Sequence, residues 1–273
     1  SATAYFGFGI WLAKLLSRAF YRVRLGAFDE ARLREIDADA TVIFVMNHRS
    51  NMDYVLVTWL AAERSHLSYA VGEWARAWPL RPLIKMMGGY FIRRKSLNPL
   101  YRRVLARYVQ LSTKEGVAQA VFPEGGLSRT GALGKPKLGL ISYIVDGFHV
   151  DNPRDVVFVP VAINYDRVLE DNILIAAGER GDRRFGAKSS VLIKFWMRHL
   201  WQRMRGTYHK FGYAAASFGK PLSLAEWHDA NGTPDPMQVA QNLMGRIGSV
   251  MPVLPVPFAL WDLIKIGLGG DVV

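Results

Sequence analysis

The chain has no cysteine. Disulfide staples, thiolate-bound metals and a cysteine-linked acyl intermediate are therefore excluded, and the composition suits a reducing compartment. Acidic residues are also scarce: 23 Asp and Glu stand against 35 Lys and Arg, for a formal net charge of +12. That balance points to an anionic partner, whether nucleic acid, an acidic membrane or a phosphorylated substrate. No apolar run reaches the roughly 20 residues of a spanning helix. Lys14 and Arg18 break the first run, and Pro252, Pro255 and Pro257 break the last. The first thirteen residues, Ser1–Ala13, are uncharged with no basic segment before them, so the start does not read as a cleavable leader.

Several reaction classes are missing as well. There is no G-x-S-x-G elbow, no H-E-x-x-H helix and no complete phosphate loop, since Ala132 follows the glycine pair Gly126 and Gly131 where Lys would stand. The six histidines do not cluster at metal-ligand spacing, so no metal or other cofactor is expected. Basic stretches are not interleaved with aromatics, so nucleic acid is not an expected partner.

What is present is a large apolar fraction. Half of the 273 residues are hydrophobic and 12% are aromatic, enough for a substantial core and too many for a disordered chain. Residues 4–25 read as one amphipathic helix, with Lys14, Arg18 and Arg22 as a basic stripe and Trp11, Leu12, Leu15, Leu16, Ala19, Phe20 and Val23 on the other side. Such a helix suits a membrane interface, and equally a surface helix packed on its own domain. Residues 1–27 are thus separated as an interface helix from a domain over 28–273, whose apolar tail occupies 251–270.

Within that domain the patterns alternate. Strands are expected at Thr41–Val45, Leu67–Val71, Tyr90–Ile92, Ala118–Phe122, Val156–Ile163, Ser190–Phe195 and Ala214–Phe218. Helices are expected at Met52–Glu63, Trp74–Met87, Asn98–Gly116, Leu138–Asp146 and Pro236–Val250. Alternation of this kind predicts an α/β fold with a mainly parallel central sheet flanked by helices.

Four stretches concentrate reactive side chains. In "MNHRSNMDY" (Met46–Tyr54), His48 follows a strand and Asp53 opens a helix. An aspartate on one imidazole nitrogen leaves the other free as a base; a capping Asp beside a surface His would give the same letters. In "GGYFIRRK" (Gly88–Lys95), Arg93, Arg94 and Lys95 leave a short strand, as a phosphate grip or as a solvated basic edge. In "VFPEGGLSRTG" (Val121–Gly131), Gly125 and Gly126 permit close backbone approach to an anion, beside Glu124, Ser128 and Arg129, with Lys135 and Lys137 following. In "VFVPVAINYDRV" (Val157–Val168), Pro160 interrupts a buried strand and requires an edge or a bulge, which would also shape a pocket wall.

Taken in order, N-H-x-x-x-x-D in its H-R-S-x-x-D form, G-x-F-I-R-R, F-P-E-G-G-x-S-R-T-G and V-P-V-x-I-x-Y resemble the glycerol-3-phosphate acyltransferase branch of the glycerolipid acyltransferase superfamily. The resemblance runs from Thr41 to Val168 and includes "YAVGEWARAWPLRPLIKMMGG" (Tyr69–Gly89). It implies that His48 deprotonates an acceptor hydroxyl and Asp53 orients it. Arg93 and Arg94 would bind phosphate, and Glu124, Gly125 and Gly126 would line the acceptor pocket with Ser128 and Arg129 beside the phosphate. Pro160 would shape the acyl-donor side. One position departs: the family places arginine before the serine of the third motif, where this chain has Leu127. Either Arg129 or Lys137 replaces that cation, or the acceptor is dihydroxyacetone phosphate or lysophosphatidate instead of glycerol 3-phosphate. The resemblance further implies acyl-CoA or acyl carrier protein as donor, and an anionic membrane partner at the cytoplasmic face of the inner membrane. Two other expectations compete: a thioesterase in which the same pair activates water, and a non-enzymatic basic membrane-binding module.

Overall fold

Two strands buried on both faces anchor the architecture: β2 (Thr41–Met46) and β6 (Val156–Tyr165). Their near-continuous apolar runs are what a strand needs when helices cover both sides of a parallel sheet. The computed structural model describes residues 2–26, 30–50, 52–61, 68–71, 89–91, 98–128, 130–168 and 211–255. In chain order these form α1 (Ala2–Phe20), β1 (Arg22–Leu25), α2 (Glu30–Arg34), β2, α3 (Met52–Ala61), β3 (Ser68–Val71), β4 (Gly89–Phe91), α4 (Pro99–Lys114), β5 (Gln119–Val121), α5 (Gly139–Asp146), β6, β7 (Tyr213–Phe218), β8 (Leu222–Ser223), α6 (Leu224–Asn231) and α7 (Pro236–Ser249).

The strands make one sheet in the order β1-β7-β6-β2-β5-β3-β4, with β8 also paired to β6. Pairing is parallel except where β6 meets β7 and β8. The expected fold class is therefore what the chain adopts. One face of the sheet packs on α1, α2 and α3 through Ala13, Phe20, Leu33, Met52, Tyr54 and Leu56. The other packs on α4, α5, α6 and α7, among them Val109, Ile144, Leu224 and Leu243. Local signals set the helix starts: Asn98 accepts from the amides of Leu100 and Tyr101 ahead of α4, and Asp235 accepts from Gln238 ahead of α7, each followed by proline at the first turn.

The first helix is shorter than the sequence suggests. It ends at Phe20, and Arg22–Leu25 form an edge strand parallel to β7. Alternation in "RVRL" decides this: Val23 is half-buried, while Arg22 and Arg24 lie 5.9 and 5.6 Å over the Tyr213 ring. Arg22 thus leaves the helical stripe. Within α1 the apolar positions divide in two. Gly9, Ala13, Ser17 and Phe20 face the core, whereas Phe8, Trp11 and Leu15 stand exposed with Lys14 and Arg18. Neither β8 nor α6 is expected from the sequence. The segments Trp74–Met87 and Ser190–Phe195, and the tail beyond Pro255, lie outside the described residues. The tail's first residues pack on the domain, with Leu254 buried and Asn164 Nδ2 donating to Pro252 O.

Pro160 sits at an irregularity in the ladder, where Val159 and Pro160 lie opposite three residues, Gly219, Lys220 and Pro221. β6 pairs with β8 through Val157 and Phe158 and with β7 from Val161 onward, so Pro160 falls between the two. Its carbonyl accepts from the Gly219 amide at 2.8 Å. A strand residue's N and O share one side, so the missing N–H faces the break between β7 and β8, where no ladder bond is lost.

Candidate active site

Neighbouring parallel strands end at a common sheet edge. β5, β2 and β6 are adjacent in that order, so Phe122, His48 and Tyr165 emerge at the same rim, where α/β folds place ligands. The loop after β2 is fixed first. Asn47 accepts from the Ile163 amide (2.7 Å) and donates to the Ile163 carbonyl (2.9 Å), replacing a ladder pair with a side chain.

His48 comes next, 2% exposed. Its Nδ1 lies 2.9 Å from Asp53 Oδ2. The same oxygen accepts from the amides of Arg49 (2.7 Å) and Ser50 (3.0 Å), and Oδ1 accepts from the Tyr165 hydroxyl (2.7 Å). Four donors surround a fully buried carboxylate, three on Oδ2 and one on Oδ1. A carboxylate at Nδ1 requires the proton there, leaving the Nε2 lone pair for chemistry. Tyr54 Oη stands 3.4 Å from Nε2, and the Phe122 ring packs 4.4 Å from the imidazole. The base is thus flanked by one apolar ring, Phe122, and one hydroxyl, that of Tyr54.

The glycine loop after β5 closes over this pair. The Ser128 amide donates to His48 O (2.8 Å), and an Arg49 guanidinium N–H donates to Gly131 O. Gly125 donates to Phe122 O (3.0 Å) with φ +65°, which favours glycine, and a Cβ there would come within 3.1 Å of Lys137 Cδ. Gly126 has open space where a Cβ would stand. Lys137, whose amide donates to Pro123 O (2.8 Å), brings its ammonium end beside Gly125. Ser128 Oγ donates to Ala132 O (2.8 Å). Leu127 is partly buried against the core layer that includes α1, α2 and α3, and supplies no charge to the loop.

Glu124 is the second carboxylate of the site, after Asp53. It is buried, and its Oε1 has no hydrogen-bond partner among the described residues. Burial raises its carboxyl above the ordinary value, while the Gly134 amide and the nearby His48 and Arg49 pull it back. A buried, unpartnered acceptor beside an imidazole is suited to receive a ligand hydroxyl.

His48, Asp53, Glu124, Gly125, Gly126, Ser128 and Lys137 are therefore gathered at one rim. Arg93, Arg94 and Arg129 lie outside the described residues. Pro160 is not brought to His48: it pairs with Val45, between Val159 and Val161, which belong to the α1–α3 layer, so its ring faces the opposite layer near Gly219. Sequence reasoning gave no role to Asn47, Tyr54, Phe122 or Tyr165. Among the described residues no group of three or more His, Asp or Glu could hold a metal, and no helix is long and apolar enough to cross a membrane.

A sequence model of the Acyltransferase family matches residues 29–164. The glycerol-3-phosphate acyltransferase of Alteromonas mediterranea is 27% identical over 258 residues, 86% of this chain and 30% of that protein. That of Ectopseudomonas mendocina is 32% identical over 202 residues, 72% of this chain and 23% of that protein. The chain thus spans less than a third of the length of these relatives. Among solved structures, the 1-acyl-sn-glycerophosphate (LPA) acyltransferase PlsC from Thermotoga maritima superposes with a TM-score of 0.51 at 19% identity, over 91% of this chain and 78% of that one, a likeness of fold. Since the matched segment carries the His48–Asp53 pair and the Glu124 loop on that same fold, the chain belongs to the acyltransferase family.

Proposed function

We propose that this chain transfers an acyl group from a thioester, acyl-CoA or acyl carrier protein, to the sn-1 hydroxyl of glycerol 3-phosphate in phospholipid synthesis. The observation that carries the reading is the His48–Asp53 pair, with Nε2 turned away from Asp53 toward the Tyr54 hydroxyl and beside Phe122, at the rim that also bears Glu124. The names of the curated relatives support the acceptor.

The chemistry balances within these groups. His48 Nε2 takes the hydroxyl proton as the alkoxide oxygen attacks the thioester carbonyl. The tetrahedral oxyanion collapses, the carbon–sulfur bond breaks, and the imidazolium proton passes to the departing thiolate. Asp53 holds the ring and offsets its transient charge. Holding both substrates together removes any need for an acyl-enzyme. Glu124 accepts from an acceptor hydroxyl, and the cations Arg93, Arg94, Arg129 and Lys137 hold the phosphate, with Lys137 covering the charge that Leu127 lacks.

A second reading, with lysophosphatidate or dihydroxyacetone phosphate as acceptor, is favoured by one feature, the neutral Leu127 packed inward where the family has a cation. Thiol release from acyl-CoA, measured with each acceptor in turn, tests both. Fastest release with glycerol 3-phosphate is expected; release at equal rate with no acceptor would instead make the protein a thioesterase. Membrane attachment is proposed through α1, whose exposed Phe8, Trp11 and Leu15 lie beside Lys14.

A further inference from the structure

A cavity of about 200 Å³ opens at the sheet edge opposite His48. It lies between the C-terminal half of α4, the end of α5 and the turn that leads into β6. Its floor includes Val156, the register partner of Thr41, so the length of β2 separates it from the reaction site by about 20 Å. It belongs to no motif.

Its lining is cationic. Arg107, Lys114, His149 and Arg154 face it against one acid, Asp146. The side chains of Arg107 and Lys114 form no hydrogen bond or ion pair with any described residue. Arg154 is already oriented: one Nη1 N–H donates to Asp39 O (2.7 Å) and lies 3.6 Å from Asp39 Oδ1, while Gly116 leaves the room this needs, since a Cβ there would come within 3.2 Å of Nη1. The remaining guanidinium N–H groups stay available. Lys114, in the last turn of α4, would suit the helix dipole unaided. Arg107, about two turns earlier, and Arg154, from a separate turn, gain nothing from that dipole and still converge on the same space.

We infer that this cavity is a second anion site, taking a phosphate group apart from the acceptor site. Arg107 and Lys114 from α4 and Arg154 from the facing turn match the oxygens of a phosphate, and the volume holds roughly six waters' worth of ligand, enough for phosphate with a short ester. The phosphate could come from a small soluble ester or from a lipid headgroup. Because α4 and α1 cover opposite faces of the sheet, a bilayer meeting α1 leaves the cavity in water, which favours the soluble source.

The test is hydrogen exchange read by mass spectrometry during titration with inorganic phosphate, following peptides over 107–114 and 146–156 and, separately, the glycine loop. Protection of both cavity peptides in the wild-type chain is expected. In Arg107→Gln/Lys114→Gln its midpoint moves to at least about tenfold higher phosphate for each cation lost, while the thiol-release rate and acceptor KM stay unchanged. Protection by phosphatidylglycerol vesicles but not by free phosphate assigns the same site to a headgroup. Absence of protection with either probe, or protection undiminished in the double variant, overturns the inference. The wild-type titration decides even if the variant folds poorly, and a glycine loop that fails to respond bears on the acceptor reading alone.

Discussion

Tyr165, the last residue of β6, donates its hydroxyl to Asp53 Oδ1 at 2.7 Å and so holds the far side of the carboxylate that steers His48. The two residues are 112 positions apart and meet only because β6 and β2 are neighbours. Tyr165→Phe leaves Oδ1 without that donor. The expected cost is about 1 to 3 kcal/mol of stability. Thiol release should slow through kcat with little change in acceptor KM. A variant with wild-type kcat and an unchanged melting temperature would remove Tyr165 from the site.

His48→Ala should lower kcat by about a hundredfold to ten-thousandfold, the usual contribution of a positioned base. The ring is not part of the proposed phosphate grip, so binding of glycerol 3-phosphate, followed by calorimetry, should persist. Near-normal turnover in this variant would require a different base.

Glu124 yields a pH prediction. Its carboxyl is raised above the ordinary value of 4.5, chiefly by burial. A group raised on folding contributes its stability below its unfolded value, and that contribution is lost as pH rises through the folded one. At neutral pH the buried charge is therefore a burden. Glu124→Gln should raise the melting temperature at pH 7, the gain shrinking as pH falls toward 4.5. Acceptor KM should rise in the same variant. A melting difference that is flat across this range would show that Glu124 does not titrate differently on folding.

Asn47→Ala removes both bonds to the Ile163 backbone and leaves two buried polar groups unmatched. A loss of about 2 to 4 kcal/mol is expected, read by denaturant titration. Because this clamp sets the loop that bears His48, kcat should fall even where the protein stays folded.

Trp11→Ser/Leu15→Ser on the outer face of α1 should weaken sedimentation with phosphatidylglycerol vesicles by about tenfold or more, while thiol release with a soluble short-chain donor is retained. Equal vesicle binding would move the membrane contact elsewhere on the molecule.

The parts legible in the sequence are those written locally. Five residues separate His48 from Asp53, and one strand-to-helix turn brings them into contact. The glycine loop is likewise a single short stretch. Tyr165 and Asn47 were hidden because their partners lie 112 and 116 positions away, and strand order decides those meetings. β1 reads as helix in the sequence because the four residues of "RVRL" fit both periodicities, and only pairing with β7 selects one. Periodicity shows that α1 has apolar positions but not which of them the core takes, so Trp11 and Leu15 turned out to face outward. Pro160 pointed to an irregular ladder, and the partner strand itself supplies the break.

The bond from the Ser128 amide to the carbonyl of His48 tethers the glycine loop to the backbone of the base. When thermal motion displaces the segment that greets the alcohol, the imidazole moves with it. Aim between base and nucleophile is thereby preserved without the whole cleft having to be rigid.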